Sequence, residues 1–354
     1  MGHPYTIIAA GCTSGSQLDM NQLQHHIVLA LVLGFCGICG VLARIGLTDL
    51  TSFQGDLGGL VWANFAGSLV MGFTASNSFL YGDVLDNEDE IPKYQSAGEI
   101  RLYIALTTGF CGSLTDFSVF IKQLFYLSAN RRLSLAYDYA NPGYGVMMFL
   151  AYAIETMSVS VTGFLIGKTI ARLCEAYERK LPFAKWESTI EFILGSLGLA
   201  AWIASIGLFV ADPTSATRHY TGPILFAPFG VYARHYLCRY LNRRSKKFLI
   251  GTFLSNVCAT IILSLLLILQ TGQSPHSSVA IVTSPLCCQI INGLIEGFCG
   301  NFSTISSFVS ELVDVLYPAN ALVYGTTTIL TSYASMVLIY GTYTWVHGNS
   351  PPTC

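Results

Sequence analysis

The sequence predicts an all-α integral membrane protein of about nine transmembrane helices, built as two inverted four-helix repeats joined by a connecting helix. Three observations predict this: charge is scarce, nine long apolar stretches follow one another, and sequence features recur in order about 190 residues apart. Of 354 residues, 52% are hydrophobic and 11% charged, where an ordinary soluble domain carries about 25% charged residues. So little charge cannot cover a surface in water, so lipid must do it. The net charge of -2 offers no basic field for nucleic acid. Of the eleven cysteines, Cys36, Cys39, Cys111, Cys258, Cys287, Cys288 and Cys299 lie in apolar runs and are expected to act as small apolar side chains.

A spanning helix needs roughly 20 mostly apolar residues. Such stretches run 27–47, 58–81, 102–125, 145–170, 190–210, 222–241, 248–269, 285–315 and 319–346. The sixth is the weakest, because Arg234, His235 and Arg239 crowd its end. Polar breaks separate the stretches, among them DVLDNEDE, NRRLS, DPTSATRH and LNRRSKK. With nine spans, Arg44, Lys122, Arg131, Arg132 and Arg218 fall on one side and the remaining thirteen of the 18 lysines and arginines on the other. The positive-inside rule then places the N-terminus in the cytoplasm and the C-terminus outside, with the plasma membrane the expected location. The layout is a tail at 1–26, a first repeat at 27–173, a linker with the connecting helix at 174–218, a second repeat at 219–346 and a tail at 347–354.

The repeat reads helix by helix. The first and sixth stretches share Gly-x-x-x-Arg, as Gly40/Arg44 and Gly230/Arg234, and the second and seventh share Asn64 and Asn256. The third carries GFCGSLTDFSVF and the eighth GFCGNFSTISSF, while Tyr152, Thr156 and Ser160 in the fourth match Tyr324, Thr328 and Ser332 in the ninth. Four helices return the chain to its starting side and the fifth carries it across, so the second repeat runs upside down. Inverted repeats are characteristic of transport proteins, with the ion site near the midplane.

Polar groups inside a membrane are costly, so these are candidates for function. Gly109, Gly112, Thr115 and Ser118 interrupt an apolar helix at mid-depth, and so does the second copy. Broken helices of this kind survive only inside protein; glycine-mediated packing is the ordinary alternative. Phe117, Phe120 and Phe308 follow the breaks, and a ring edge is electropositive enough to face an anion. Asn64 and Asn256 supply amide donors, or interhelical hydrogen bonds. The Tyr/Thr/Ser sets share a helix face and form a ladder of hydroxyls, unless each bonds its own i−4 carbonyl. Arg44 and Arg234 stand near helix ends, where snorkelling is the ordinary explanation.

Together, GFCG-x-x-[Thr/Ser]-x-x-Ser-x-Phe, the asparagine of the second stretch and the Gly-x-x-x-Arg of the first resemble the fluoride channel family (Fluc, also called CrcB). The fused layout with a connecting helix is similar to its eukaryotic branch, FEX. The resemblance covers nearly the whole chain. It implies a passive channel that drains cytoplasmic fluoride and works as a single chain, an internal pseudo-dimer in membrane lipid. It further implies a central structural Na+ on the main-chain carbonyls of Gly112, Thr115, Gly300 and Ser303. The pore groups it implies are Asn64 and Asn256, the rings Phe117, Phe120 and Phe308, and the ladders Tyr152, Thr156, Ser160 and Tyr324, Thr328, Ser332. Arg44 and Arg234 would line the vestibules.

Two departures from the family pattern stand out: Asp116 replaces a threonine, and Ile305 replaces the first phenylalanine of the second copy. A pore through Phe117 and Phe308 keeps both rings, whereas one through Ile305 and Phe120 lacks one, so one fully furnished pore is expected. A proton-coupled transporter of a small anion is the alternative, against which Asp116, Glu155 and Glu296 form no matched pair. An enzyme is not expected, since no spanning stretch sets a nucleophile beside a base.

Overall fold

The computed structural model describes residues 20–51, 59–76, 94, 96–130, 139–175, 183–274 and 279–354. The N-terminal tail as far as residue 19, the DVLDNEDE run, Lys93, Arg131, Arg132, Arg179 and Lys180 lie outside the described residues. Among the described residues the regular structure is helical, apart from two isolated bridges. Nine helices appear in sequence: α1 Met20–Thr51, α2 Gly59–Ser76, α3 Arg101–Ser128, α4 Gly143–Glu175, α5 Phe183–Ala211, α6 Ser215–Leu241, α7 Ile250–Thr271, α8 285–315 and α9 Pro318–His347.

Six of them, α1, α3, α4, α5, α7 and α9, are long and apolar enough to cross a membrane, and α2 is apolar but shorter. This is an integral membrane protein. Neither α6 nor α8 meets that measure. Each carries polar groups that serve the protein interior, such as Arg234 and His235 on α6 and Asn301, Ser303 and Thr304 on α8, all buried. The sixth helix also begins seven residues before the expected 222, because Thr214 caps it: its Oγ1 accepts from the Thr217 N–H at 3.4 Å.

The core is unevenly shared. Some 78% of the apolar stretch of α3 is buried inside the protein, against 22% for α5 and α9, which leaves those two facing lipid. Helix α5 lies on α1 and α6, with Gly198 against Phe35 and the Trp202 indole donating to Leu225 O at 3.1 Å. Its first turns are tied to the start of α3 by a forked Arg101–Glu191 pair, 2.7 Å at each oxygen. Within the first half, α2 and α4 approach so closely that a Cβ on Gly72 or Gly167 would strike the backbone of the facing helix.

The C-terminal residues are pinned. Gly272 pairs with Asn349, and Cys288 is disulfide-bonded to Cys354, 66 residues later. Cys288 is therefore not the apolar filler its surroundings suggested. The partner thiol stands at the last residue, where no hydrophobic pattern marks it.

Candidate functional site

Helices α3 and α8 both break where the repeated glycine motif predicts. A π-helical stretch (Ala105–Cys111, Leu294–Cys299) leads into three α-helical residues, after which Thr115 and Ser303 turn extended at φ/ψ of -96°/149° and -88°/167°. The chain then re-enters helix at Phe117 and Ser306. Each re-entry frees backbone N–H groups that hydrocarbon cannot satisfy, and most of the partners come from other helices.

The two breaks complete one another. Thr115 Oγ1 accepts from the N–H groups of Ile305 and Ser306 at 3.2 and 3.1 Å, and Ser303 Oγ accepts from those of Phe117 and Ser118 at 3.2 and 3.1 Å. The asparagines take the preceding N–H in each copy: Asn64 Oδ1 from Asp116 at 3.0 Å, Asn256 Oδ1 from Thr304 at 2.8 Å. Local caps finish the turn, with Asp116 Oδ1 accepting from Val119 N at 2.9 Å and Thr304 Oγ1 from Ser307 N at 3.3 Å. The interhelical role weighed for the asparagines is thus occupied, though unequally. Asn256 Nδ2 also donates to Thr304 O at 3.2 Å, while Asn64 Nδ2 is buried with no partner in the protein.

Two guanidinium groups reach into this crossing. Arg44 and Arg234 are each 1% exposed, which rules out snorkelling. Arg44 Nη1 donates to Ser113 O at 2.8 Å and its Nη2 to Glu296 O, with Asp116 Oδ2 3.6 Å from Nη1. Arg234 Nη1 donates to Gly112 O at 2.7 Å and to Ser303 O at 2.6 Å, and its Nη2 donates to Thr108 O. A Cβ at Gly112 would collide with the Arg234 guanidinium, and one at Gly300 with that of Arg44 and with Asp116. The glycines are therefore needed to admit the arginines. Arg44 lies at the centre and not in a vestibule, whereas Arg234 also borders a cavity. Of the four carbonyls expected to hold a sodium ion, those of Gly112 and Ser303 already carry the Arg234 guanidinium. The residues present do not fit a metal ion at that position.

Beside the crossing, Phe117, Phe120, Phe308 and Ile305 are fully buried. The Phe117 and Phe308 rings meet edge to face at 5.4 Å; Phe308 continues to Tyr324 at 5.2 Å, and Phe120 stacks on Tyr152 at 5.9 Å. Both hydroxyl ladders are buried as well. Ser160 and Thr328 bond the carbonyls of Thr156 and Tyr324 one turn back, at 2.7 Å each, while Thr156 Oγ1 and Ser332 Oγ have no partner in the protein. Each ladder thus keeps one hydroxyl uncommitted.

The structure adds groups that sequence reasoning passed over. Glu311 accepts from Tyr324 Oη at 2.6 Å and from Thr252 Oγ1 at 2.5 Å. Thr252, Thr260 and Ser264 join Asn256 in a buried polar stripe along α7. The four-residue spacing of that stripe was legible; Glu311, opposite Gln123 in the repeat register, was hidden at the end of its stretch. A cavity of about 690 Å³ is lined by Arg234, Arg239 and Arg243, by the acids Glu99 and Glu311, and by Thr108 and Ser307 among others.

The profile of the family described as CrcB-like protein, Camphor Resistance (CrcB), matches residues 31–169 and 222–342. The chain belongs to the CrcB family. The segment between the two CrcB matches contains α5, so the family pattern occurs once on either side of the connecting helix. Fluoride export protein 1 of Candida albicans is 35% identical over 334 residues, covering 94% of this chain and 83% of its own. Fluoride export protein 1 of Saccharomyces cerevisiae is 28% identical over 385 positions, 95% of this chain and 98% of its own. The fluoride-specific ion channel FluC of Thermococcus kodakarensis is 27% identical over 144 residues, 40% of this chain and 97% of its own, so that CrcB relative is about one repeat long. No solved structure matches the chain.

Proposed function

We propose that this chain is a passive, fluoride-selective channel that exports cytoplasmic fluoride through one competent pore and thereby protects against its toxicity. The observation that carries the reading is the reciprocal capping of the two breaks. Alternating access requires one repeat to rock against the other. Here each repeat's helix is finished by a hydroxyl of the other, and both guanidiniums span the junction. Rocking would unmake all of these at once, so the centre serves a fixed path better than a moving one.

The path suits a small, strongly hydrated anion. Its hydration must be replaced by donors that let it go again. Asn64 Nδ2, Thr156 Oγ1 and Ser332 Oγ are buried and uncommitted, and the Phe117 and Phe308 rings meet edge to face, with Phe308 continuing to Tyr324. The cavity, lined by three arginines against the two acids Glu99 and Glu311, would gather anions at the cytoplasmic mouth. The relatives' names, which speak of fluoride, support the choice of ion.

Matched contacts support inverted repeats within one chain: Gly40 faces Phe110 O and Ser113 as Gly230 faces Phe298 O and Asn301. The Cys288–Cys354 bond supports an exterior C-terminus, since disulfides persist in oxidising compartments. Buried Glu311 is the observation that favours a proton-coupled transporter. Purified protein in liposomes separates the two readings. A channel gives fluoride efflux, no chloride efflux, and a rate unchanged when the proton gradient is collapsed; dependence on that gradient sinks the channel reading.

A further inference from the structure

We infer that the junction of the two halves is held by the protein's own charges, with the Arg234 guanidinium doing the work that the family resemblance assigns to a structural sodium ion. The inference concerns the centre and does not depend on which anion the protein conducts.

A central metal ion would tie the halves together by drawing carbonyls from both broken helices onto one positive charge. Arg234 does this already. Its Nη1 bonds Gly112 O of the first half and Ser303 O of the second, at 2.7 and 2.6 Å, so one nitrogen occupies the point that both carbonyls face. Arg44 repeats the arrangement from the other repeat, bonding Ser113 O and Glu296 O. The two guanidiniums thus bridge five carbonyls, those of Thr108, Gly112 and Ser113 in the first half and of Glu296 and Ser303 in the second. A guanidinium is always charged and suits buried pairing better than a hydrated ion does.

One acid that accompanies them is specific to this chain's first repeat. Asp116 stands opposite Thr304 in the register of the repeat, and it shares Arg44 with a second carboxylate, Glu296, whose Oε2 lies 3.7 Å from Arg44 Nη2. Asp116 is fully buried, 3.6 Å from Arg44 Nη1, and its Oδ1 accepts from Ser303 Oγ of the other half at 3.0 Å. Asp116 Oδ2 makes no hydrogen bond, so its charge is answered by Arg44 across that short gap. A sodium ion entering here would have to displace Arg234 from two carbonyls and then sit beside the charge it had displaced. Like charges at that separation repel strongly in a buried site.

The test uses the intact protein and reads the centre in two ways. A ligand that binds only the folded state raises the melting temperature as its concentration rises. Wild-type protein is purified in N-methylglucamine chloride, and its melting temperature and anion efflux are followed as sodium chloride replaces that salt at constant ionic strength. Neither is expected to change. A rise in melting temperature with sodium, or efflux that requires it, overturns the inference. Arg234→Met supplies the positive control: it frees the two carbonyls, so its lowered melting temperature should become sodium-dependent. If Arg234→Met cannot be purified folded, the wild-type titration still decides the matter. Because melting is read apart from flux, a protein that conducts no fluoride but melts independently of sodium would refute the proposed function and leave this inference standing.

Discussion

Removing the Thr115 hydroxyl should damage the helix of the opposite repeat more than its own. Thr115 Oγ1 accepts from Ile305 N and Ser306 N at 3.2 and 3.1 Å in a fully buried setting. In Thr115→Ala both N–H groups lose that partner, and an unsatisfied buried donor costs about 1–3 kcal/mol. The hydroxyl's own donation matters less, because Cys111 O also accepts from Thr115 N at 3.2 Å. A lost cap taken as a whole costs about 0.5–2 kcal/mol. Weighing the two scales, Thr115→Ala should lose about 2–4 kcal/mol, counting the methyl that packs toward Gly67. Thr115→Ser keeps the hydroxyl and loses only that methyl, about 1 kcal/mol. The difference between the two variants isolates the cap, and equilibrium unfolding of both in the same detergent measures it. A gap under about 0.5 kcal/mol would mean the cross-repeat cap contributes nothing.

Other expectations follow from the same contacts. Phe117→Ile or Phe308→Ile should abolish fluoride resistance in cells while Phe120→Ile does far less; equal loss at equal expression would end the one-pore reading, and expression must be tracked because a lost ring costs about 1–3 kcal/mol on its own. Asn256→Ala removes two hydrogen bonds to Thr304 and should lower the melting temperature more than Asn64→Ala. Asn64→Ala, which takes away the uncommitted Nδ2, should instead cost more fluoride efflux per folded molecule, and the reverse ranking in liposomes would refute the assignment. Cys354→Ser, or reductant added to wild type, should reduce stability by about 2–4 kcal/mol; mass spectrometry showing free thiols at both positions in untreated protein would contradict the bond.

What the sequence disclosed, and what it hid, divides by range. The nine stretches, both helix breaks and the paired asparagines were legible because each is written in a local run: an apolar window, a glycine motif, one amide in a hydrocarbon helix. The arginines were misread for the same reason. A hydropathy window ends at position 47, which puts Arg44 near a helix end, whereas α1 continues to Thr51 and the side chain turns toward carbonyls freed by α3 and α8. Those acceptors exist only because two other helices are broken. Likewise the expectation that Thr115 and Ser303 serve through carbonyls overlooked their hydroxyls, whose partners lie 185–191 residues away. Glu311 escaped notice because the edge of an apolar stretch is where an acid is ordinarily solvated.

Reciprocal capping also sets an order for biosynthesis. When the first repeat enters the membrane, the N–H groups of Phe117 and Ser118 have no finishing hydroxyl, because Ser303 lies 186 and 185 residues further along the chain. The first repeat must therefore wait in an incomplete form while α5, α6, α7 and part of α8 are synthesised. Only the arrival of the second break closes both. Half a chain, expressed alone, would face the bilayer with the same open ends unless a second copy answered them. Fusion into one polypeptide guarantees that answer, and it lets the two halves accept different residues at matched positions, as Asp116 against Thr304 and Phe117 against Ile305 record.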